Sequence, residues 1–347
     1  MTRDIEVKAL LRRHGLSNTD LVPALGVANN VWLTPAVVVR FNEGRFRDAF
    51  RHEARILQML PATVPHPALI ACGVREEPED AGNAEKTGEY LIVERVPGCT
   101  LDEVWPMMSM ASRRLVMLEL AGIIKALHTI PVTPDMENPW IADALAIPIH
   151  SDAYHAPPGS HLALIASARA VRADTGIMLD TIQAFIDERM DAFEHEYERA
   201  PVLVHADLHF RNVLAIDSLD SRVTGLIDFE GSRPASADVE LDTFIRFLGA
   251  ERQFGSANAN DYTGAIGWFR EGYPELFAHP RLIERLEVYE AMWHLVQLHH
   301  WKEEYTSLAD PVAGLSNVLD GAFRLRIVAL LANDQSIVYP RKATSMA

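Results

Sequence analysis

Val204-His205-Ala206-Asp207-Leu208-His209-Phe210-Arg211-Asn212-Val213-Leu214 decides how the chain is read, together with Gly225-Leu226-Ile227-Asp228-Phe229-Glu230 just after it. An Asp stands five residues before an Asn, and a second Asp follows a further apolar run. Apolar residues flank both polar clusters, so the polar side chains fall at the ends of short strands, on the rim of a hydrophobic sheet. Phosphoryl transfer uses such a set. One carboxylate orients a hydroxyl nucleophile and accepts its proton, while an amide oxygen and a second carboxylate hold Mg²⁺ against nucleotide phosphates. Mg²⁺ takes hard oxygen ligands and keeps part of its water, so one Asn and one Asp suffice. His205 and His209 stand at helical spacing for a metal, but their segment reads as strand and loop, which disfavours zinc. A lone Asp after an apolar run is ordinarily a turn or cap residue. The joint spacing of H-x-D-x-x-x-x-N and I-D-F carries the signal.

Outward from this segment, the chain divides in two. Its 347 residues exceed one domain of ~150 residues. In the first part, Asn30 to Leu33 and Ala36 to Phe41 form a hairpin split by Thr34-Pro35, and Arg45 to Leu60 is the one helix, stopped by Pro61. Leu69 to Val74 and Tyr90 to Val96 are further strands, with a polar loop between them. After Val96-Pro97-Gly98 the chain turns helical: Ala111 to Ile130, Ile177 to Arg199, and most of the chain to about Leu331. Short strands at 202–205, 213–216 and 223–227 interrupt it, and residues 140–175 resist a reading. The expectation is an α+β, two-lobed fold: a β-rich lobe over 1–95, a hinge near 94–98, and a helical lobe over 96–347.

Composition bounds the partners. Forty-eight acids against 32 bases leave a net charge of −16. That disfavours nucleic acid and anionic membranes, both of which call for a basic face. Two cysteines, Cys72 and Cys99, make no disulfide framework. No apolar signal segment opens the sequence, so a cytoplasmic protein is expected.

The pattern HADLHFRNVL…GLIDFE resembles the aminoglycoside phosphotransferase family, a branch of the protein-kinase-like fold. Ala206 stands where that family usually has Gly. The resemblance implies that Asp207 is the catalytic base, that Asn212 and Asp228 bind Mg²⁺, and that His205 braces the loop. It matches Asp238 and Asp242 to an Asp-x-x-x-Asp segment that ties the catalytic loop to the next helix, slightly farther from Asp228 than usual. It places a nucleotide-covering loop at 26–30, including Asn29 and Asn30. It puts Arg40 where the family's nucleotide-binding Lys stands, with Glu53 as that cation's helix partner. Arg keeps the charge and adds bidentate geometry, so the exchange is not neutral. Glu94 and Val96 are implied at the hinge, holding the purine through main-chain atoms.

The co-substrates implied are ATP or GTP, with Mg²⁺. The acceptor implied is a small molecule, cationic or sugar-containing, with an aminoglycoside-like antibiotic first. A macrolide, or a metabolite of homoserine, choline or sugar type, is the alternative, and an inactive nucleotide-binding scaffold is a second. Monomer and homodimer both stay open. Acids gather in the helical lobe, at Asp180, Asp187, Glu188, Asp191, Glu194, Glu196 and Glu198. Such a run is ordinarily a solvated helix face. By resemblance, Glu230, Glu290, Trp301 and Glu304 are the acceptor-facing candidates.

Overall fold

Alternating apolar residues build the N-terminal sheet and give it two buried faces. The computed structural model describes residues 2–24, 30–42, 48–75, 88–138, 160–172, 175–194, 200–216, 221–250, 262, 264–299 and 310–332. Strands β1 (Val22–Ala24), β2 (Asn30–Leu33), β3 (Val37–Asn42), β4 (Leu69–Val74) and β5 (Glu89–Glu94) form one antiparallel sheet in the order β1-β2-β3-β5-β4. Successive strand residues face opposite sides. In β3, Val37, Val39 and Phe41 therefore pack on one face, with Trp32, Tyr90 and Ile92. Val38 and Arg40 are carried on the other.

The first face is covered by helix α1 (Thr2–Arg13), through Val7, Leu10 and Leu11. This helix adds a second to the single one expected before residue 95. Its apolar stripe is only three residues wide among charges, so tertiary contacts define it. Trp32 Nε1 donates to Asp4 at 2.9 Å, and Arg75 grips Glu6 at 2.9 and 3.0 Å. The second face receives α2 (Ala49–Met59), which buries Phe50, Ile56 and Leu57. Residues 43–47, where that helix was expected to begin, lie outside the described residues, as does the loop at 25–29 with Asn29.

The helical lobe contains α3 (Leu101–Val104), α4 (Met110–Leu127), α5 (Ser160–Val171), α6 (Gly176–Asp187), α7 (Val239–Ala250), α8 (Ala265–Gly272), α9 (Leu282–His299), α10 (Pro311–Leu319) and α11 (Ala322–Ala332). The helix expected over 177–199 stops at Asp187. A 3-10 turn, Met190–Phe193, follows it and turns Ala192 and Phe193 into the core. Among the described residues, two small antiparallel sheets sit in this lobe. One pairs β6 (Cys99–Thr100), β8 (Val213–Ile216) and β9 (Arg222–Leu226); the other pairs β7 (Val202–Val204) with β10 (Arg233–Ala235). The apolar core of the lobe reaches without a break to Phe50, Leu57, Leu91 and Val93 of the sheet lobe. Among the described residues, no helix is long and apolar enough to cross a membrane.

Candidate active site

The segment between β7 and β8 is a short loop, closed by a 3-10 turn at Phe210–Asn212. Asn212 Nδ2 donates to both the main-chain oxygen and Oδ2 of Asp207, 2.9 Å each. His205 is fully buried; its Nδ1 accepts from Asp207 N at 3.3 Å, and its Nε2 lies 2.9 Å from Ile227 O. Ile227 N donates to Asn212 O at 3.0 Å, extending the β8–β9 register in which Val213 faces Leu226. Asn212 and Asp228 therefore stand at the same end of one hairpin.

Asp207 is 40% exposed, with His209 Nε2 at 3.6 Å from its carboxylate. Burial of its surroundings alone would raise its pKa. The His209 and His205 rings and the Asn212 amide outweigh that, and the carboxyl is held below its ordinary 3.8. It is therefore a carboxylate at neutral pH.

The loop is strained at one point. Ala206 has φ +65°, a left-handed conformation that L residues other than Gly adopt at a cost. Two residues of α7 hold it there. The Glu240 carboxylate accepts from His205 N, and from Ala206 N at 3.3 Å; Thr243 Oγ1 donates to Ala206 O at 3.1 Å. Glu240 is fully buried. The tie between loop and helix is thus Glu240, which replaces the expected Asp238 and Asp242. Asp238 binds Arg285, at 2.6 and 3.2 Å, and Asp242 binds Arg246. The reason is position along the chain: Asp238 lies in the turn before α7 and meets Arg285, while Asp242, two residues beyond Glu240 on the helix, points away from it to Arg246.

The sheet lobe contributes a cation. Arg40 Nη1 donates to both Glu53 oxygens at 2.8 and 2.7 Å. Its Nη2 donates to Asp228 Oδ1 at 2.7 Å and to Glu230 Oε2 at 3.0 Å. The guanidinium lies 4.9 Å above the Phe50 ring. Burial opposes its charge, but Asp228, Glu53 and Glu230 more than offset that, so it stays protonated. Burial likewise pushes Glu53 up from its ordinary value, with Arg40 pulling against it. Asp228 adopts φ +68° ahead of a 3-10 turn. The chain beyond it is pinned: Asn138 Nδ2 donates to Glu230 O at 2.7 Å, His52 Nε2 lies 2.6 Å from Ser232 O, and Phe229 N donates to Glu53 at 3.3 Å.

Other expected residues fall as follows. Asn30 opens β2, opposite Phe41. Glu94 closes β5, its N–H bonded to Ala68 O; Arg95 N is bonded to Ala36 O, and Val96 follows. Glu290 does not face a cleft. It is 6% exposed, and its carboxylate is taken by Arg246 at 2.8 Å and His294 at 3.2 Å. Burial would raise it, yet Arg246 draws it below its ordinary value, while Asp242 on the same guanidinium is pushed up to about 6. Trp301 and Glu304 lie outside the described residues. Glu240, Thr243, His52 and Asn138 escaped the sequence reading; only Glu240 left a trace there, as the middle acid of Ala237-Asp238-Val239-Glu240-Leu241-Asp242.

The donor set suits a hard divalent cation. Carboxylate oxygens of Glu53, Asp228 and Glu230 all lie within 4.8 Å of one another. The Asn212 amide nitrogen is committed to Asp207, which leaves its oxygen to serve as a neutral ligand.

A family model described as "Phosphotransferase enzyme family" matches residues 21–276. The chain matches no curated protein sequence. Its fold is similar to the GDP and kanamycin complex of APH(2")-IIia, with a TM-score of 0.59 and 15% identity over 92% of this chain and 99% of that one. It is also similar to a thermostable mutant of aminoglycoside phosphotransferase APH(4)-Ia in its apo form, with a TM-score of 0.54 and 18% identity over 91% and 98%. A ternary complex of a thermostable mutant of that enzyme with ADP and hygromycin B gives 0.53 and 17% over 90% and 97%. At these identities the likeness is one of fold: a β-sheet lobe set on a helical lobe.

Proposed function

The chain belongs to the phosphotransferase enzyme family, and on that premise we propose that it moves the γ-phosphoryl group of ATP or GTP to a hydroxyl of a small cationic molecule, an aminoglycoside-like antibiotic first among them. The observation that carries this reading is the joining of two lobes at one point. Arg40 of the sheet lobe, paired there with Glu53, bonds Asp228, which shares a hairpin end with Asn212, whose amide holds Asp207.

Each residue then has a task. Asp207 accepts a hydrogen bond from the acceptor hydroxyl, orients its oxygen in line with the γ-phosphorus, and takes the proton late. The hydroxyl oxygen–phosphorus bond forms as the bridging bond to the β-phosphate breaks. A base held below its ordinary pKa suits a loose transition state, in which the attacking oxygen carries little charge until late. Arg40 supplies positive charge to the phosphates. Asn212 and Asp228, with Glu230 beside them, would hold Mg²⁺, which when bound neutralises charge on the phosphate oxygens. At the hinge, Glu94 N and Arg95 N are bonded to Ala68 O and Ala36 O, and the remaining main-chain groups of Glu94 and Val96 would meet the purine.

The surplus of acid favours a cationic acceptor. One pair of opposite charges at 4 Å in water is worth only ~1 kcal/mol, but several carboxylates around a polyamine add up in a partly desolvated cleft. A coupled kinase assay tests the proposal, using a panel of aminoglycosides, tuberactinomycin-type peptides and macrolides with each nucleotide. Turnover with a cationic member supports it. Turnover with macrolides alone replaces the acceptor class. No turnover with any member removes the antibiotic reading.

A further inference from the structure

Arg40 occupies an unusual position for a phosphate-binding cation. Its Nη1 is engaged with Glu53, which is 3% exposed, and its Nη2 with Asp228 and Glu230, which are 31% and 15% exposed. The two halves of one guanidinium thus hold acids of different character: one inside the sheet lobe, two at the cleft. The two cleft acids belong to the set whose oxygens converge within 4.8 Å. The atom of Asp228 that Nη2 bonds, Oδ1, is a carboxylate oxygen that a divalent cation would also use. A lysine ammonium is a single point of charge, and one nitrogen cannot keep both Glu53 oxygens and the Asp228–Glu230 pair at once. The planar fork of arginine does so with two separate nitrogens.

We propose that Arg40 is the resident counter-cation of this centre: in the nucleotide-free enzyme its Nη2 holds Asp228 and Glu230, and it gives them up when a divalent cation enters with the nucleotide, turning to a phosphate oxygen while Nη1 stays on Glu53. This rests on the phosphotransferase reading and adds a coupling to it. A cation arriving alone must displace Nη2, which is then left with no anion to meet. A cation arriving with nucleotide brings the phosphate that Nη2 can take. Metal and nucleotide therefore assist each other's binding, and Arg40 is the positioning residue through which they do.

The test is equilibrium binding, with Mn²⁺ as the metal probe and AMP-PNP as the nucleotide, allowing for the Mn²⁺ that AMP-PNP binds in solution. In the wild-type protein, Mn²⁺ alone binds weakly, and each probe strengthens the other. Arg40→Lys, which keeps the charge but not the fork, binds Mn²⁺ alone about tenfold more tightly, the factor for one net charge-assisted hydrogen bond. Arg40→Gln binds Mn²⁺ alone more tightly still and AMP-PNP more weakly. A purely structural role would weaken both. Equal Mn²⁺ affinity in the three proteins overturns the proposal. The wild-type coupling needs no variant to fold: if Mn²⁺ and AMP-PNP bind independently, the proposal falls and the phosphotransferase reading stands. If AMP-PNP does not bind with or without Mn²⁺, both fall.

Discussion

Asn212 Nδ2 lies 2.9 Å from the main-chain oxygen of Asp207 and 2.9 Å from its Oδ2, so one amide fixes both the backbone and the carboxylate of the residue five positions earlier. The same side chain then has only its oxygen to offer a cation. Asn212→Ala removes both functions and is expected to lower kcat about 10²–10³-fold, in the range of losing one preorganised electrostatic group. It should also raise the Mg²⁺ concentration needed for half activity. Steady-state rates across a Mg²⁺ series check this.

Ala206 sits at φ +65° and is held there by Glu240 and Thr243. Ala206→Gly relieves a left-handed penalty of about 1–2 kcal/mol and returns part of it as backbone entropy. The expected net is a stabilisation of up to about 1 kcal/mol in urea unfolding, the reverse of the usual effect of adding Gly. Glu240→Ala should destabilise instead, by about 1–3 kcal/mol for each buried N–H left without an acceptor.

His52 is buried on α2 and bonded to Ser232 O, two residues beyond Glu230. Burial lowers its pKa from 6.5 to about 4, and the nearby Arg55 and Arg233 push the same way. Because the folded value lies below the unfolded one, the neutral ring stabilises the fold above pH 6.5. That contribution, about 3 kcal/mol, is lost as pH falls from 6.5 toward 4. Unfolding free energies at pH 7 and pH 4.5 should differ less in His52→Gln than in the wild type. Equal slopes in the two proteins would contradict the assignment.

Glu290 and Asp242 share the buried guanidinium of Arg246, which also lies 4.6 Å over the Trp293 ring. Breaking a buried pair by removing one partner costs about 3–5 kcal/mol. Glu290→Ala is therefore expected to lower Tm strongly and to leave the acceptor KM nearly unchanged at temperatures where it is folded. A large rise in KM without loss of Tm would return Glu290 to the acceptor site.

The grouping of the candidate residues was legible where it depends on neighbours in sequence. Asp207, Asn212 and Asp228 sit at strand ends whose spacing is local: the register of one hairpin brings Asn212 and Asp228 to one end, and the Asn212 amide holds Asp207 there. Arg40 and Glu53 were legible as a pair because a strand and the helix after it pack on each other, and they bond at 2.7–2.8 Å. What escaped depends on the phase of elements that meet far apart in the chain. Asp238 and Asp242 carried the sequence signal, yet the helix face that meets the catalytic loop presents Glu240. The resemblance implied Glu290 as an acceptor-facing residue, but a cation 44 residues earlier claims it. The bond from Arg40 to Asp228 spans 188 positions, and no local pattern announces it.

The account stands on Asp207 as the base. The most direct measurement is phosphoryl transfer by Asp207→Ala, beside wild type, on whichever acceptor the panel identifies, with AMP-PNP affinity measured on the same samples. The account predicts a rate lower by about 10²–10⁴-fold, with nucleotide affinity close to wild type. Full phosphotransfer by Asp207→Ala would contradict it.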